Sequence, residues 1–117
     1  MSQTSTERTI IVYADENGKE PVTDWLASFR DKKIRTRILR RINRIEQGNF
    51  GDHRHIVGGE GIWELRLDFG PGYRVYYAED GATVVLLLCA GEKKSQNRDI
   101  KKAITYWRDY QEQKSHE

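Results

Sequence analysis

The chain has 117 residues, of which 37% are hydrophobic and 32% charged, and its formal net charge is +2. This length suits one domain with one core, and three Trp, six Tyr and three Phe residues exclude a disordered chain. No apolar run approaches the roughly 20 residues needed to span a bilayer, and the polar segment from Met1 to Arg8 lacks a secretion signal. The lone cysteine, Cys89, excludes an internal disulfide. We therefore expect a single cytoplasmic domain over residues 1–117, folded from about 9 to 111.

The first half of the chain predicts one strand followed by two amphipathic helices. Residues 9–14 (TIIVYA) have the apolar character of a strand, and Pro21 suits the first turn of a helix. A second helix is predicted over 32–47, where Gly48 suits its end. The side chains predicted to be buried recur at helical spacing; they are Val22, Trp25, Leu26 and Phe29 in the first helix, and Ile34, Ile38, Leu39, Ile42 and Ile45 in the second.

The second half predicts a three-stranded antiparallel meander and a last helix. Apolar and polar residues alternate over 63–69, which is typical of a strand with one buried face. The strand at 82–90 is apolar on both faces. The order β-α-α-β-β-β-α predicts an α+β fold, a compact antiparallel-rich sheet with helices packed on one face. The predicted segments are a short strand at 54–57, strands at 63–69, 73–79 and 82–90, and a helix that begins near Ser95 or Asn97.

One face of the meander is polar. If Gly70-Pro71-Gly72 is a three-residue hairpin loop, Asp68 faces Arg74, Arg66 faces Tyr76 and Glu64 faces Ala78. The apolar face suffices for a core, so the polar face is free for a function. The alternative is a ladder of cross-strand ion pairs on a solvated sheet.

Three runs in this region resemble a known group of proteins. They are IWELRLDFGPGYRVYY at 62–77, VVLLLCAGEKK at 84–94 and RDIKKA at 98–103. Together they resemble the RelE/HigB/ParE superfamily of bacterial toxins, and more narrowly its HigB-like "addiction module killer protein" branch. The resemblance covers residues 9–110. It implies a RelE-like sheet flanked by helices and a cognate antitoxin partner, expected to be a helix-turn-helix DNA-binding protein.

The resemblance also implies an activity. Relatives of the RelE and HigB kind cut mRNA on the ribosome without a metal or other cofactor, and so inhibit translation. Arginine suits the extra negative charge of a pentacoordinate phosphorane, because its planar fork donates two hydrogen bonds. No histidine stands where some relatives have a C-terminal catalytic one, although His53 and His55 lie in the loop before the sheet. By matching the family motif, the catalytic candidates are Arg66, Arg74, Lys93 and Lys94, joined by Tyr76 or Tyr77, of which Tyr76 is favoured because it is predicted on the face of the arginines.

The second predicted helix is strongly basic. The segment from Arg30 to Arg44 contains eight Lys or Arg residues and a single acid, Asp31. Such clustering suits contact with a polyanion, or it is a solvated helix face. The candidates for RNA or ribosome binding are Arg37, Arg40, Arg41 and Arg44.

Two other functions remain open. ParE-like members of the same superfamily inhibit DNA gyrase and share the fold, and a non-catalytic nucleic-acid-binding module is also compatible with the basic helix. No metal site is predicted, because Cys89 is alone and apolar and the His53-x-His55 pair has no acidic cluster beyond Asp52. A glycine-rich phosphate loop is not predicted either, since Gly58-Gly59-Glu60-Gly61 precedes a strand and not a helix.

Overall fold

The computed structural model describes residues 7–116. Five strands form one sheet in the order β1-β5-β4-β3-β2, in which β1 runs parallel to β5 and the other neighbours are antiparallel. The strands are β1 (Thr9–Val12), β2 (His53–His55), β3 (Trp63–Leu67), β4 (Tyr73–Asp80) and β5 (Val84–Glu92), and the helices are α1 (Pro21–Ala27), α2 (Lys32–Asn43) and α3 (Gln96–Ser115).

Helices cover both faces of this sheet. In β5, Val85 and Leu87 pack into a core with α1 and α2, whereas Leu86 and Leu88 pack into a second core with α3. The α+β class is thus confirmed, but the expectation that all helices pack on one face is wrong. The reason lies in β5 itself: a strand that is apolar on both sides needs cover on both sides.

The helices begin and end where local chemistry directs. Pro21 occupies the first turn of α1, and the Asp31 side chain caps α2 by accepting from the Lys33 N–H at 2.9 Å. The predicted helix over 32–47 is α-helical only to Asn43, after which Arg44–Gln47 form a 3₁₀ turn. The expectation that Leu39 is buried is wrong, because this side chain is 37% exposed.

The meander has a wider turn than predicted. Leu67 pairs with Tyr73, so five residues connect β3 to β4, and Arg66 lies opposite Arg74. The predicted three-residue loop is wrong, because Phe69 belongs to the turn and not to the strand. Gly72, with φ +81°, donates its N–H to the Phe69 carbonyl at 2.9 Å, and this hydrogen bond closes the turn. The register is shifted by two residues, and an even shift keeps each side chain on its predicted face.

The last helix is longer than expected. The sequence predicts a folded chain only to about residue 111, yet α3 continues to Ser115. Its end is held by Asp80, whose carboxylate accepts from the Tyr110 hydroxyl and the Lys114 ammonium, each at 2.7 Å. These two contacts also lower the pKa of Asp80. None of the helices within residues 7–116 combines the length and the apolar character needed to cross a membrane.

Two neighbouring residues of α2 test this packing. Ile38 is fully buried in the core beneath α2, and Leu39 beside it is 37% exposed. We expect Ile38→Ala to lower the free energy of unfolding by about 2–5 kcal/mol, through lost burial and a residual cavity. The matched Leu39→Ala control should change it by less than about 0.5 kcal/mol. Urea denaturation followed by circular dichroism measures both, and equal losses would contradict the described helix orientation.

Candidate active site

A polar cluster lies on the α3 side of the sheet, on the outer strands. Arg54 of β2 pairs with Glu64 of β3, Glu64 pairs with Tyr76 of β4, and Arg66 pairs with Arg74. Directly paired residues share a face, and Tyr76 belongs to the core under α3, so the whole set lies on that face. Because α3 packs over β4 and β5, the same face of β2 and β3 lies beside the helix.

Glu64 is the centre of the cluster and is 0% exposed. Its Oε1 atom lies 3.3 Å from Arg54 Nη2, 3.8 Å from Arg74 Nε and 3.9 Å from Arg66 Nε. Its Oε2 atom accepts a hydrogen bond from Gln96 Nε2 at 2.6 Å, at the start of α3. One buried carboxylate therefore faces three guanidinium groups that come from three different strands.

The arginines differ in exposure. Arg74 is 3% exposed, and its Nη1 atom donates to the Tyr73 carbonyl at 2.9 Å and lies 3.4 Å from Asp68. The Arg66 side chain is 34% exposed, with Asp52 at 4.0 Å. Among the described residues, the Nε atoms of both arginines are buried without a hydrogen-bond partner. Buried donors without hydrogen bonds are rare and costly, and here the charge of Glu64 Oε1, 3.8 and 3.9 Å away, offsets part of that cost.

Tyr76 lies on the face of the arginines, as predicted, and Tyr77 lies on the other face. The Tyr76 ring is fully buried, so in this conformation it offers no surface on which a base could stack. Burial, and then the nearby Glu64 carboxylate, raise the pKa of Tyr76 well above its usual range. The hydroxyl, which is buried and has no hydrogen-bond partner in the described chain, therefore stays protonated, so it can donate a hydrogen bond and does not act as a base.

The turn after β5 brings one of the two predicted lysines beside Arg74. The Lys93 N–H donates to the Gly72 carbonyl at 2.8 Å. A Cβ atom on Gly72 would lie 3.4 Å from Lys93 Cβ and 3.7 Å from Arg74 Nη1, so Gly72 lies between the two side chains. The Lys94 side chain is exposed and pairs with Glu92 at 3.6 Å.

A close approach behind this turn fixes its position. Asp99 of α3 is buried, and its Oδ2 atom accepts from the Ser95 hydroxyl at 2.5 Å. The same oxygen lies 2.1 Å from where a Cβ atom of residue 91 would be, so only glycine fits at Gly91. Any side chain at position 91 would therefore displace Asp99 or the end of β5.

The predicted RNA-binding arginines of α2 fall into two groups. Arg37, Arg40 and Arg44 are exposed, and the Arg37 guanidinium lies over the Phe69 ring, 3.9 Å from its centroid. Arg41 is half-buried and donates to the carbonyls of Arg66, Phe50 and Asp52, each at 2.9 Å. Burial lowers the pKa of Arg41. Its side chain fastens the loop before β2 to β3.

A groove of about 720 Å³ lies between α2 and the β3–β4 turn. The α2 arginines line one side, and Arg66, Asp68 and Phe69 line the other. Arg66 also belongs to the polar cluster around Glu64. Arg66 is thus the residue that the two sets of candidates share: its carbonyl accepts from Arg41 of α2, and its side chain faces Glu64 on the other side of the sheet.

The histidines lie away from the cluster. His53 Nδ1 is 2.7 Å from the Tyr77 hydroxyl, and the ring stacks against Phe50 and Trp63 on the α2 side of the sheet. His55 contacts Trp63 edge-on. The histidines predicted in the loop before the sheet form β2 itself, and their side chains are separated from the arginines by the sheet. Within residues 7–116, no group of three or more His, Cys, Asp or Glu side chains could hold a metal ion.

Comparison with known proteins identifies the family. Residues 24–108, well over half of the chain, match the family described as phage-derived protein Gp49-like (DUF891). The chain belongs to this family. This family consists of RelE-like toxins from toxin–antitoxin systems, and membership in it implies that the partner of the chain is an antitoxin. An uncharacterized protein of Haemophilus influenzae is 43% identical over 79 residues, which are 68% of this chain and 78% of that protein.

Two members of the cluster were not among the residues predicted from the sequence. Arg54 lies in a strand of three residues, too short for a clear alternation, and only its pairing with Glu64 reveals its role. Gln96 reaches Glu64 from 32 residues away in the chain, and no local pattern indicates such a contact.

The difference in exposure between the two strand arginines predicts different stability effects. Arg74→Ala should lower the free energy of unfolding by roughly 3–5 kcal/mol, because it removes a buried partner of a buried carboxylate. Arg66→Ala should lower it by about 1 kcal/mol or less, as for other solvent-accessible pairs. Urea titrations of both variants beside the wild-type chain measure this difference. A smaller loss for Arg74→Ala than for Arg66→Ala would contradict the described burial.

Proposed function

We propose that this Gp49-like toxin is a HigB-like mRNA endoribonuclease that acts on the ribosome in the cytoplasm, needs no metal, and inhibits translation until its antitoxin binds. The observation that carries the proposal is the cluster around Glu64. Three guanidinium groups face one buried carboxylate, and the buried Nε–H groups of Arg66 and Arg74 lie 3.9 and 3.8 Å from it without making a hydrogen bond. Such preoriented donors suit an anion whose charge grows during a reaction.

The reaction that fits this site is attack by a ribose 2′-hydroxyl on the adjacent phosphodiester. The bond from O2′ to phosphorus forms, and the bond from phosphorus to O5′ breaks. The 2′-hydroxyl loses a proton to a base and the departing O5′ gains one, so the products are a 2′,3′-cyclic phosphate and a 5′-hydroxyl end. The phosphorane between them carries extra negative charge, which arginine donors stabilise.

Each candidate residue has a role that suits its position. Arg66 is the more exposed of the two strand arginines and would contact the phosphate directly. Arg74 lies deeper and would add its charge from behind. The protonated Tyr76 hydroxyl would donate a hydrogen bond to the phosphate. Lys93, which lies across Gly72 from Arg74, would contribute a further positive charge. The exposed Lys94 would contact RNA at the rim of the site.

The α2 groove would bind RNA outside the scissile phosphate. Arg37, Arg40 and Arg44 present exposed guanidinium groups there, which suit the phosphates of mRNA or of the ribosome. Arg41 would act indirectly, because its donors already hold three carbonyls. Since Arg66 lines both surfaces, a strand lying in the groove would lead into the proposed active site.

Expression of the chain alone in bacteria tests the activity. We expect growth arrest, with new 5′-hydroxyl ends in translated mRNA, because the proposed reaction leaves this group. Co-expression of the antitoxin should restore growth. Sequencing of 5′-hydroxyl RNA ends, in parallel with a DNA supercoiling assay, is the measurement. Intact mRNA together with inhibited gyrase would instead assign the chain to the ParE-like activity.

Substitution of Arg66 tests the site. Arg66→Ala should lower the cleavage rate by about 10²-fold or more, comparable with the loss of one preoriented donor to a developing anion. Arg66→Lys should not restore the rate, because one ammonium does not reproduce the planar fork of donors. Cleavage and melting temperature should be measured on the same samples. A folded Arg66→Ala variant that cleaves at the wild-type rate would remove this side chain from the active site.

A further inference from the structure

The buried carboxylate has more cationic neighbours than it needs. Arg74 is itself buried and neutralises one charge, and Gln96 satisfies the second oxygen of Glu64 with a hydrogen bond at 2.6 Å. Burial of a carboxylate is costly unless its charge is paired and its oxygens are hydrogen-bonded, and the other oxygen, Oε1, accepts its hydrogen bond from Arg54 Nη2 at 3.3 Å. Since Arg74 alone balances the charge of Glu64, the positive charges of Arg54 and Arg66 are in excess of what the carboxylate requires.

These two additional arginines reach solvent together. The Arg54 side chain is 53% exposed and that of Arg66 is 34% exposed. Both have a guanidinium nitrogen within 4.0 Å of the same oxygen, Glu64 Oε1. They thus extend from one buried anchor, and their outer ends lie where a ligand can approach.

Their carboxylate neighbours at the surface compete only weakly. Asp52 lies 4.0 Å from Arg66 and is about half exposed, so solvent screens this pair. Glu64 is the sole carboxylate paired with Arg54 within the described residues. A phosphate could therefore bind to both arginines without first breaking a tight surface ion pair.

We propose that Arg54 is a second RNA-phosphate-binding residue of this site, and that Glu64 is the positioning residue that holds Arg54 and Arg66 side by side. The inference rests on the proposed function for its substrate. Glu64 acts through the arginines and does not touch the RNA. The negative charge of Glu64 repels a phosphate and so weakens RNA binding. The same carboxylate holds the Arg54 and Arg66 guanidinium groups in position, which favours cleavage.

RNA binding at several salt concentrations tests Arg54. The probe is a fluorescent single-stranded 2′-O-methyl RNA, which lacks the attacking hydroxyl and stays intact. For Arg54→Ala, the slope of log K against log salt concentration should become shallower by about 0.7, the value for one phosphate contact on a single strand. Arg54→Lys should keep the slope. Measured with natural mRNA on ribosomes, Arg54→Ala should also slow cleavage by about tenfold or more.

Arg108→Ala is the matched control, since it removes one arginine elsewhere. Arg108 pairs with Glu60 and lies on α3 twelve residues beyond Gln96, about 18 Å along the helix. Its loss should change neither the salt slope nor the cleavage rate. If Arg54→Ala behaves like this control in both assays, or if the wild-type chain does not bind the probe at low salt, Arg54 binds no RNA phosphate.

Glu64→Gln tests positioning, because it keeps the shape and removes the charge. We expect tighter binding of the 2′-O-methyl RNA together with slower cleavage, a split that a merely structural residue would not produce. Should Glu64→Gln fail to fold, Gln96→Ala serves instead: it frees one oxygen of Glu64, and cleavage should fall with little change in binding. Unchanged cleavage in the folded variant would overturn the positioning role.

The two proposals fail in different ways. If the wild-type chain cleaves no RNA on ribosomes but Arg54→Ala still loses salt slope, the nuclease proposal is wrong and Arg54 remains an RNA-binding residue. If the wild-type chain cleaves and Arg54→Ala matches it in rate and slope, the nuclease proposal stands and the inference on Arg54 is wrong.

Discussion

The ionic contact at Glu64 joins the fold to the candidate site. The carboxylate has no solvent contact, and its partners come from four elements: Arg54 from β2, Arg66 from β3 beside it, Arg74 from β4 and Gln96 from α3. A buried charge is tolerated only when its partners are held in place. The edge strand β2, the meander and the start of α3 are therefore positioned by the same contact that arranges the guanidinium groups.

The two-sided core explains why the cluster is accessible at all. Since β5 is apolar on both faces, α3 must cover it on one side while α1 and α2 cover it on the other. The helix α3 packs mainly against β4 and β5. The polar face of the outer strands is consequently left at the edge of α3, where Arg54 and Arg66 reach solvent.

The sequence predicts which face of the sheet each strand residue occupies, but it does not predict which residues of neighbouring strands pair. Arg66 in β3 and Arg74 and Tyr76 in β4 lie on one face in the predicted and in the observed register alike, because the two registers differ by an even number of residues. The register itself depends on where the turn closes, and that is decided by backbone geometry at Gly72. Contacts between distant segments, such as Gln96 with Glu64, leave no periodic pattern, so they were not predicted.

Burial distinguishes two arginines for which the sequence pattern predicts the same role. Arg66 and Arg74 occupy equivalent strand positions, yet the first reaches solvent and the second does not. Superfamily members with this fold act on different targets, so the fold cannot decide the activity. The cluster of charges distinguishes between these activities better than the fold does. A surface that binds only another protein gains little from three guanidinium groups held around Glu64. The proposed phosphoryl-transfer site would gain cationic groups already in place for the charge that develops in the transition state.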